Sequence, residues 1–160
     1  RSTMNDETPT TLNPQLAQLS NFLTYRISRV HQKLNVQASK ILNDSVGVTL
    51  NQWRMIAFIG GAETVTASEL VRYTTMDKGL VSRNVKSLIE SGLVASFNHE
   101  KDSRVHLLSL TPAGELVFET ALPKMRRRQA KLQDNLSRED VATLRRILET
   151  LEIAAEDTET

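Results

Sequence analysis

Polar and cationic side chains recur at helical spacing in the segment KGLVSRNVK. Three of them, Ser82, Arg83 and Lys86, fall at positions i+3, i+4 and i+7 from Gly79, and Lys78 lies beside the first turn. Residues with this spacing share one face of an α-helix, and this face carries no acidic residue. Its glycine lets a partner come close and its other side chains donate hydrogen bonds. We therefore predict that this face binds an anionic partner.

The stretch NHEKDSR, residues 98–104, places seven polar or charged residues between the β-prone runs LVASF and VHLLSL. This pattern predicts a β-hairpin over residues 93–110 with the polar stretch at its tip. Asp102 and Arg104 stand two residues apart, so that Asp102 can fix the turn or orient Arg104. A water-facing turn is the alternative interpretation, because charged residues are normal at hairpin tips.

Composition excludes several classes of protein. The chain has 160 residues, a formal net charge of +1 and no cysteine. The lack of cysteine excludes disulfides, thiolate metal sites and cysteine-based redox sensing, and is compatible with the reducing cytoplasm where we expect the protein to lie. No apolar run approaches the roughly 18 residues of a membrane span, and no signal peptide is recognisable, so we expect no membrane partner.

Enzyme and metal-site motifs are missing from the sequence. There is no G-x-S-x-G and no phosphate-binding glycine loop, and His31, His99 and His106 lack metal-ligand spacing with carboxylates. We expect neither catalysis nor a cofactor.

Helix-start signals and apolar spacing predict the elements that position these residues. Eight apolar residues at 3- and 4-residue spacing predict one helix of about 28 residues that begins at Gln15. Capping boxes at Thr49 and Thr66 begin two short helices, the first ending at Gly60 and Gly61.

Three further helices complete the predicted order of elements. Asp77 caps the third short helix, and Gly92 follows its end. Thr111 followed by proline begins a helix that extends to about residue 133, and Ser137 caps the last helix.

Three short helices followed by a hairpin within residues 49–111 form the order of a winged helix-turn-helix. In such a unit the third helix can enter the DNA major groove, and an arginine at the wing tip can reach the narrow minor groove. We predict a mainly α-helical fold with this unit, long N- and C-terminal dimerisation helices and a two-stranded β wing. A dimeric winged-helix module that binds protein and not DNA is the alternative.

The flanking segments carry apolar stripes that so small a central unit cannot cover, which favours a homodimer. We predict five segments: a flexible N-terminal arm (1–14), a dimerisation helix (15–48), a winged helix-turn-helix DNA-binding domain (49–111), C-terminal dimerisation helices (112–155) and an acidic tail (156–160).

Two motifs carry a resemblance to a known family. DKGLVSRNVKSLIESGLV and the wing DSRVHLLSLTPAG, with its D-x-R followed by L-T-x-x-G, resemble the MarR family of dimeric transcription regulators, and the resemblance covers roughly residues 16–155. It implies a sequence-specific regulator, which we expect to be a repressor, that binds a pseudo-palindromic double-stranded DNA operator. It also implies release by a small, often aromatic or anionic, effector.

Candidate DNA-binding residues follow from the predicted helices, the wing and the family motifs. Arg72 has alternatives, because it can hold a phosphate or pair with Asp102 or Glu69. The basic run KMRRRQAK is more typical of a solvated helix face, or of a face that pairs with the acidic ends of a dimer partner, than of a DNA contact. The full DNA-binding set is Ser68, Arg72, Lys78, Gly79, Ser82, Arg83, Lys86, Lys101 and Arg104, with Asp102 structuring the wing.

An effector site is predicted where the first helix meets the second and fifth. It combines aromatic and cationic residues, namely Phe22, Arg26, His31, Trp53 and Phe118. For His31 and Trp53, packing in the core is the favoured alternative. For Arg26, the alternative is a solvated position on the helix surface.

Overall fold

The computed structural model describes residues 13–158, which contain seven α-helices and three short strands. In chain order these elements are α1 (Pro14–Ser20), α2 (Leu23–Val46), α3 (Leu50–Ala62), β1 (Val65–Thr66), α4 (Ala67–Tyr73), α5 (Lys78–Glu90), β2 (Val94–Asn98), β3 (His106–Leu110), α6 (Pro112–Gln133) and α7 (Arg138–Glu156). The chain divides into two compact units, residues 1–40 and 41–160.

The prediction of a single long helix from Gln15 is wrong, because two helices, α1 and α2, take its place. Asn13 caps α1 by accepting a hydrogen bond from the Gln15 amide, with Pro14 at N1, so the helix begins one residue earlier than predicted. α1 ends at Ser20, where the amides of Asn21 and Phe22 bond to carbonyls three residues back. Residues 1–12 of the predicted flexible arm lie outside the described residues.

The second unit packs its helices around one core. The sheet is antiparallel with strand order β1-β3-β2, so a third strand joins the two that were predicted. Val65 pairs with Leu108, and both side chains are buried. The fully buried side chains of this core come from α2, α3, α4 and α5, and include Leu42, Met55, Ile56, Ile59, Leu70, Val81 and Leu88.

The predicted helix starts in this unit are confirmed. Thr49 and Thr66 each form a capping box with the residue three positions later, and the Asp77 carboxylate accepts a hydrogen bond from the Leu80 amide at 2.8 Å. Gly92 follows α5 with φ 74°, the left-handed backbone that glycine adopts without a Cβ clash.

The predicted end of α3 at Gly60 and Gly61 is wrong, because both glycines lie inside the helix. A Cβ at Gly60 would lie 2.9 Å from Phe118 Cδ2, so this glycine serves close packing against α6. α3 ends at Ala62, and Glu63 follows with φ 64° and ψ −56°. The Thr64 amide donates to the Ala62 carbonyl at 2.7 Å, which makes Glu63 the centre of a strained γ-turn.

The base of the wing is fixed by the segment that follows it. The Thr111 hydroxyl donates to the Gly92 carbonyl at 2.6 Å, and the Thr111 amide donates to the Leu93 carbonyl at 3.1 Å. The same hydroxyl accepts a hydrogen bond from the Gly114 amide and thereby caps α6. A Cβ at Gly114 would collide with the Leu93 carbonyl oxygen, so only glycine fits here.

Candidate nucleic-acid interface

The outer face of α5 presents the predicted polar residues to solvent. Val81 and Leu88 are buried, whereas the candidate residues are all exposed: Lys78, Gly79, Ser82, Arg83 and Lys86. Ile89, next to Leu88 on this helix, is 39% exposed. α5 is anchored to α3 by a hydrogen bond from Gln52 Nε2 to Ser87 Oγ at 3.1 Å.

Gly79 gives the Arg83 side chain room on this face. A Cβ at Gly79 would lie 3.3 Å from Arg83 Nη1 and 3.3 Å from the Asp77 carboxylate. The Arg83 guanidinium therefore folds back over the first turn of α5. A side chain at position 79 would compete with Arg83 for this space.

The sequence interpretation of this face missed one acidic residue. Lys86 Nζ lies 3.9 Å from Glu90 Oε1, and both side chains are largely exposed. Glu90 stands four residues after Lys86, the spacing at which helical ion pairs form, so the sequence did contain the signal. The face is therefore acid-free only in its first three turns.

Ser68 of α4 joins this surface, whereas Arg72 takes a different environment. Ser68, Lys78 and Ser82 line a common cleft of about 360 Å³ between α4 and α5. The Arg72 guanidinium carbon lies 5.6 Å from the centroid of the Tyr73 ring, a cation–π contact. In the described part of the chain, Arg72 pairs with neither Asp102 nor Glu69.

The wing tip is a structured turn that comprises residues 99–105, one position later than predicted, because Asn98 pairs with His106 in the sheet. Asp102 Oδ1 accepts hydrogen bonds from the Arg104 amide at 3.0 Å and from Arg104 Nε at 3.3 Å. The Arg104 side chain is nonetheless 91% exposed. Asp102 thus both fixes the turn and orients Arg104, and it leaves the guanidinium open to a partner.

His99 is a second organiser of the tip, which the sequence did not reveal. Its Nδ1 lies 3.1 Å from the Lys101 amide and accepts that hydrogen bond. Its own amide donates to the Val105 carbonyl at 2.9 Å, which closes the turn. Lys101 itself is exposed.

The basic run on α6 is divided between exposed and half-buried positions. Arg126 and Arg127 are exposed, while Lys124 and Arg128 are half-buried. Burial lowers the pKa of the Arg128 guanidinium from its usual value. The run is therefore not one continuous solvated surface.

The five predicted effector residues fall in both units. In residues 41–160, Trp53 is buried and stacks on Phe118 with ring centroids 6.2 Å apart. In residues 1–40, Phe22, Arg26 and His31 are all exposed. The Nε2 atom of His31 lies 3.0 Å from Asn35 Nδ2. The interpretation of His31 as a core residue is wrong for the single chain, and that of Trp53 is confirmed.

Residues 13–158 lack two further features. None of their helices has the length and apolar character needed to cross a membrane. No group of three or more histidine, aspartate or glutamate side chains in that range could hold a metal ion.

Comparison with known proteins gives relatives for both the sequence and the fold. A family model described as MarR family matches residues 46–104. The HTH-type transcriptional regulator BilQ from Clostridium symbiosum is 30% identical over 105 residues, which are 66% of this chain and 73% of BilQ. The chain belongs to the MarR family of transcriptional regulators.

Solved MarR-family structures confirm the fold. A regulator of the MarR/EmrR family from Acinetobacter superposes with a TM-score of 0.76 at 23% identity, and the match covers 91% of this chain and 99% of that one. A mutant MarR from Escherichia coli complexed with operator DNA gives a TM-score of 0.66 at 25% identity, over 82% of this chain and 99% of that one.

The family assignment bears directly on the site. The matched residues 46–104 extend from the end of α2 to the wing tip and contain every residue predicted to contact DNA. MarR-family proteins are transcriptional regulators and not enzymes, so the prediction of a non-enzyme is confirmed.

Proposed function

We propose that this MarR-family chain binds a pseudo-palindromic DNA operator as a homodimer and represses transcription from it. One observation carries the proposal: the exposed cationic face of α5 and the oriented, exposed Arg104 belong to the same winged unit. A solvated turn needs no carboxylate that aims Arg104. A MarR relative of the same fold has been solved with operator DNA, which supports the same partner for this chain.

The proposed contacts differ between the helix and the wing. α5 enters the major groove, where Arg83 and Ser82 read base edges and Lys86 contacts a base or phosphate. Gly79 permits close approach to the DNA. Ser68, Lys78 and Lys101 are assigned to phosphates, because such contacts position a protein without reading sequence.

Arg104 is assigned to the minor groove that flanks each half-site. Arg72 remains a candidate phosphate contact, because its exposed cation–π contact with Tyr73 is worth only about 0.5–1 kcal/mol and can be exchanged for DNA.

Regulation by a small aromatic or anionic effector is the second part of the proposal. In the proposed dimer, the two α5 helices can stand at different distances from each other. An effector that binds one of these arrangements more tightly than another would change operator affinity. Trp53 and Phe118, which are in contact with each other, are candidates in the second unit, and Phe22, Arg26 and His31 are candidates in the first.

Operator binding can be tested by fluorescence anisotropy on DNA fragments from upstream of the protein's own gene. We expect salt-sensitive, sequence-selective binding. Arg83→Ala should reduce discrimination between the operator and its single-base variants by about 1–3 kcal/mol at one position per half-site.

Arg127→Ala is the matched control for Arg83→Ala, since it removes an exposed arginine from α6 and not from the proposed interface. It should leave discrimination unchanged. The absence of DNA binding would contradict the proposal and favour the protein-binding module. Binding with no sequence preference would contradict recognition of an operator.

A further inference from the structure

A second cleft lies between α3 and α4, apart from the proposed DNA contacts. Its volume is about 380 Å³, within the range of about 300–1,000 Å³ typical of small-molecule sites. None of the proposed DNA-contacting or effector residues lines it. We call it the aromatic cleft, and it is lined by Phe58, Ala62, Thr64, Val65, Glu69, Leu70 and Tyr73.

Two stacked aromatic rings form the walls of the aromatic cleft. The centroids of Phe58 and Tyr73 are 6.0 Å apart, and the rings are inclined by 19°. Phe58 is 41% exposed and Tyr73 is 58% exposed, so this pair does not belong to the core. Partly exposed aromatic rings next to a concave apolar surface can form an aromatic contact with another flat ring.

The floor and rim of the aromatic cleft are firmly held. Leu70 and Val65 belong to the buried core and form an apolar floor. The γ-turn at Glu63 fixes the two rim residues that flank it, Ala62 and Thr64. The Arg72 guanidinium lies against the Tyr73 ring and restrains it without lining the cleft.

One charge determines which ligand fits. Among the seven lining residues, Glu69 alone is charged. Its Oε2 accepts a hydrogen bond from the Thr66 amide at 2.8 Å, which fixes the orientation of the carboxylate. A carboxylate can accept about four hydrogen bonds, so it retains capacity for an N–H donor on a ligand. The same charge repels anionic aromatics.

We propose that the aromatic cleft binds a planar aromatic amine, whose ring stacks on Phe58 and Tyr73 while its N–H groups donate to Glu69. The site lies within one winged unit and does not depend on the proposed operator or effector. The apolar floor and the single carboxylate set its selectivity for amines over acids.

The probe for this site is 2-aminoquinoline, a flat bicyclic ring with adjacent N–H donors. Titration into the isotopically labelled full chain should give saturable NMR shift changes at Ala62, Thr64 and Val65. Phe58→Ala and Tyr73→Ala should each weaken binding about fivefold or more, since one ring stacking on an aromatic side chain contributes about 1–3 kcal/mol.

Two variants test the role of charge and the location of the site. Glu69→Gln keeps an acceptor for the Thr66 amide and should weaken binding of the amine by up to about fivefold, as expected for an exposed ion pair. Phe97→Ala removes a ring of closely matched exposure, 44%, from the wing and should leave the affinity unchanged. Quinoline-2-carboxylate should bind more weakly than the amine.

Several results would overturn the proposal. One is the absence of saturable binding at millimolar 2-aminoquinoline, as expected if the rings serve a protein partner instead. Another is parental affinity in folded Phe58→Ala and Tyr73→Ala variants, and a third is an equal loss in Phe97→Ala. If Tyr73→Ala does not fold, Tyr73→Leu keeps the apolar volume and should still lose the stacking contribution.

Discussion

Arg104 combines exposure with a defined orientation. An ion pair in water between exposed groups is worth only about 0–1 kcal/mol, so the contact with Asp102 orients the guanidinium without holding it strongly. Arg104 can therefore exchange this partner for DNA at little cost. Asp102 thus orients the Arg104 side chain before DNA binds, and the guanidinium remains available for contact with DNA.

Arg104→Ala should weaken operator binding strongly and flatten its salt dependence. The log–log slope should fall by about 0.9 for each lost cationic contact, roughly 2 per dimer. Affinity measured against salt concentration, with the oligomeric state confirmed, tests this expectation. An unchanged affinity and slope would mean that the wing tip is only a solvated turn.

Two substitutions of Asp102 serve as controls, because they alter the wing without removing a cation. Asp102→Ala deletes both acceptor contacts to Arg104 and should weaken binding with a smaller change in slope. Asp102→Asn retains an acceptor for the Arg104 amide and should bind better than Asp102→Ala. Equal affinities of these two variants for the operator would show that binding depends on the charge of Asp102 and not on its hydrogen bond to the Arg104 amide.

Two glycines inside helices should respond oppositely to alanine. Gly114→Ala places a methyl group against the Leu93 carbonyl at the junction of wing and α6, and should destabilise the fold by about 2–3 kcal/mol. At Gly61 nothing lies within 4 Å of an added Cβ, so Gly61→Ala should stabilise by about 0.5 kcal/mol. Urea unfolding measures both. A Gly114→Ala variant as stable as the parent would contradict the close contact.

Local signals made some elements predictable and left others hidden. Capping boxes and the wing hairpin depend on residues close together in sequence, so their positions follow from the sequence. The break between α1 and α2 was hidden, because Leu19 and Leu23 keep helical spacing across it. β1 was missed because its two residues become a strand only by pairing with β3, more than forty positions later.

In the candidate site, spacing in the sequence predicted which residues share a surface but not which side chains contact each other. The residues on α5 and at the wing tip were found through spacing and motif. The contacts of Arg72 with Tyr73 and of His99 with the Lys101 amide depend on side-chain positions that no spacing rule gives. The aromatic cleft was hidden for the same reason, since Phe58 and Tyr73 lie on different helices.

At the scale of the whole molecule, large apolar side chains remain uncovered in the single chain. Leu19 and Leu23 are about half exposed in the first unit, and Leu144 and Leu148 on α7 are more than 40% exposed in the second. Burying such area contributes roughly 25 cal/mol per Å², so a second copy that covers these residues would stabilise the fold. We propose a homodimer held by these helices, with Leu151 included.

Light scattering at micromolar concentration should give the mass of a dimer. Leu148→Glu should dissociate it, because a carboxylate would be buried in an apolar interface without a partner. Phe97→Glu places the same charge on a similarly exposed apolar position of the wing and should leave the dimer intact. Removal of residues 137–160 should expose the surface that α7 covers in the proposed dimer and cause aggregation. A parental chain that scatters as a monomer would refute the proposed assembly and, with it, recognition of a two-fold operator.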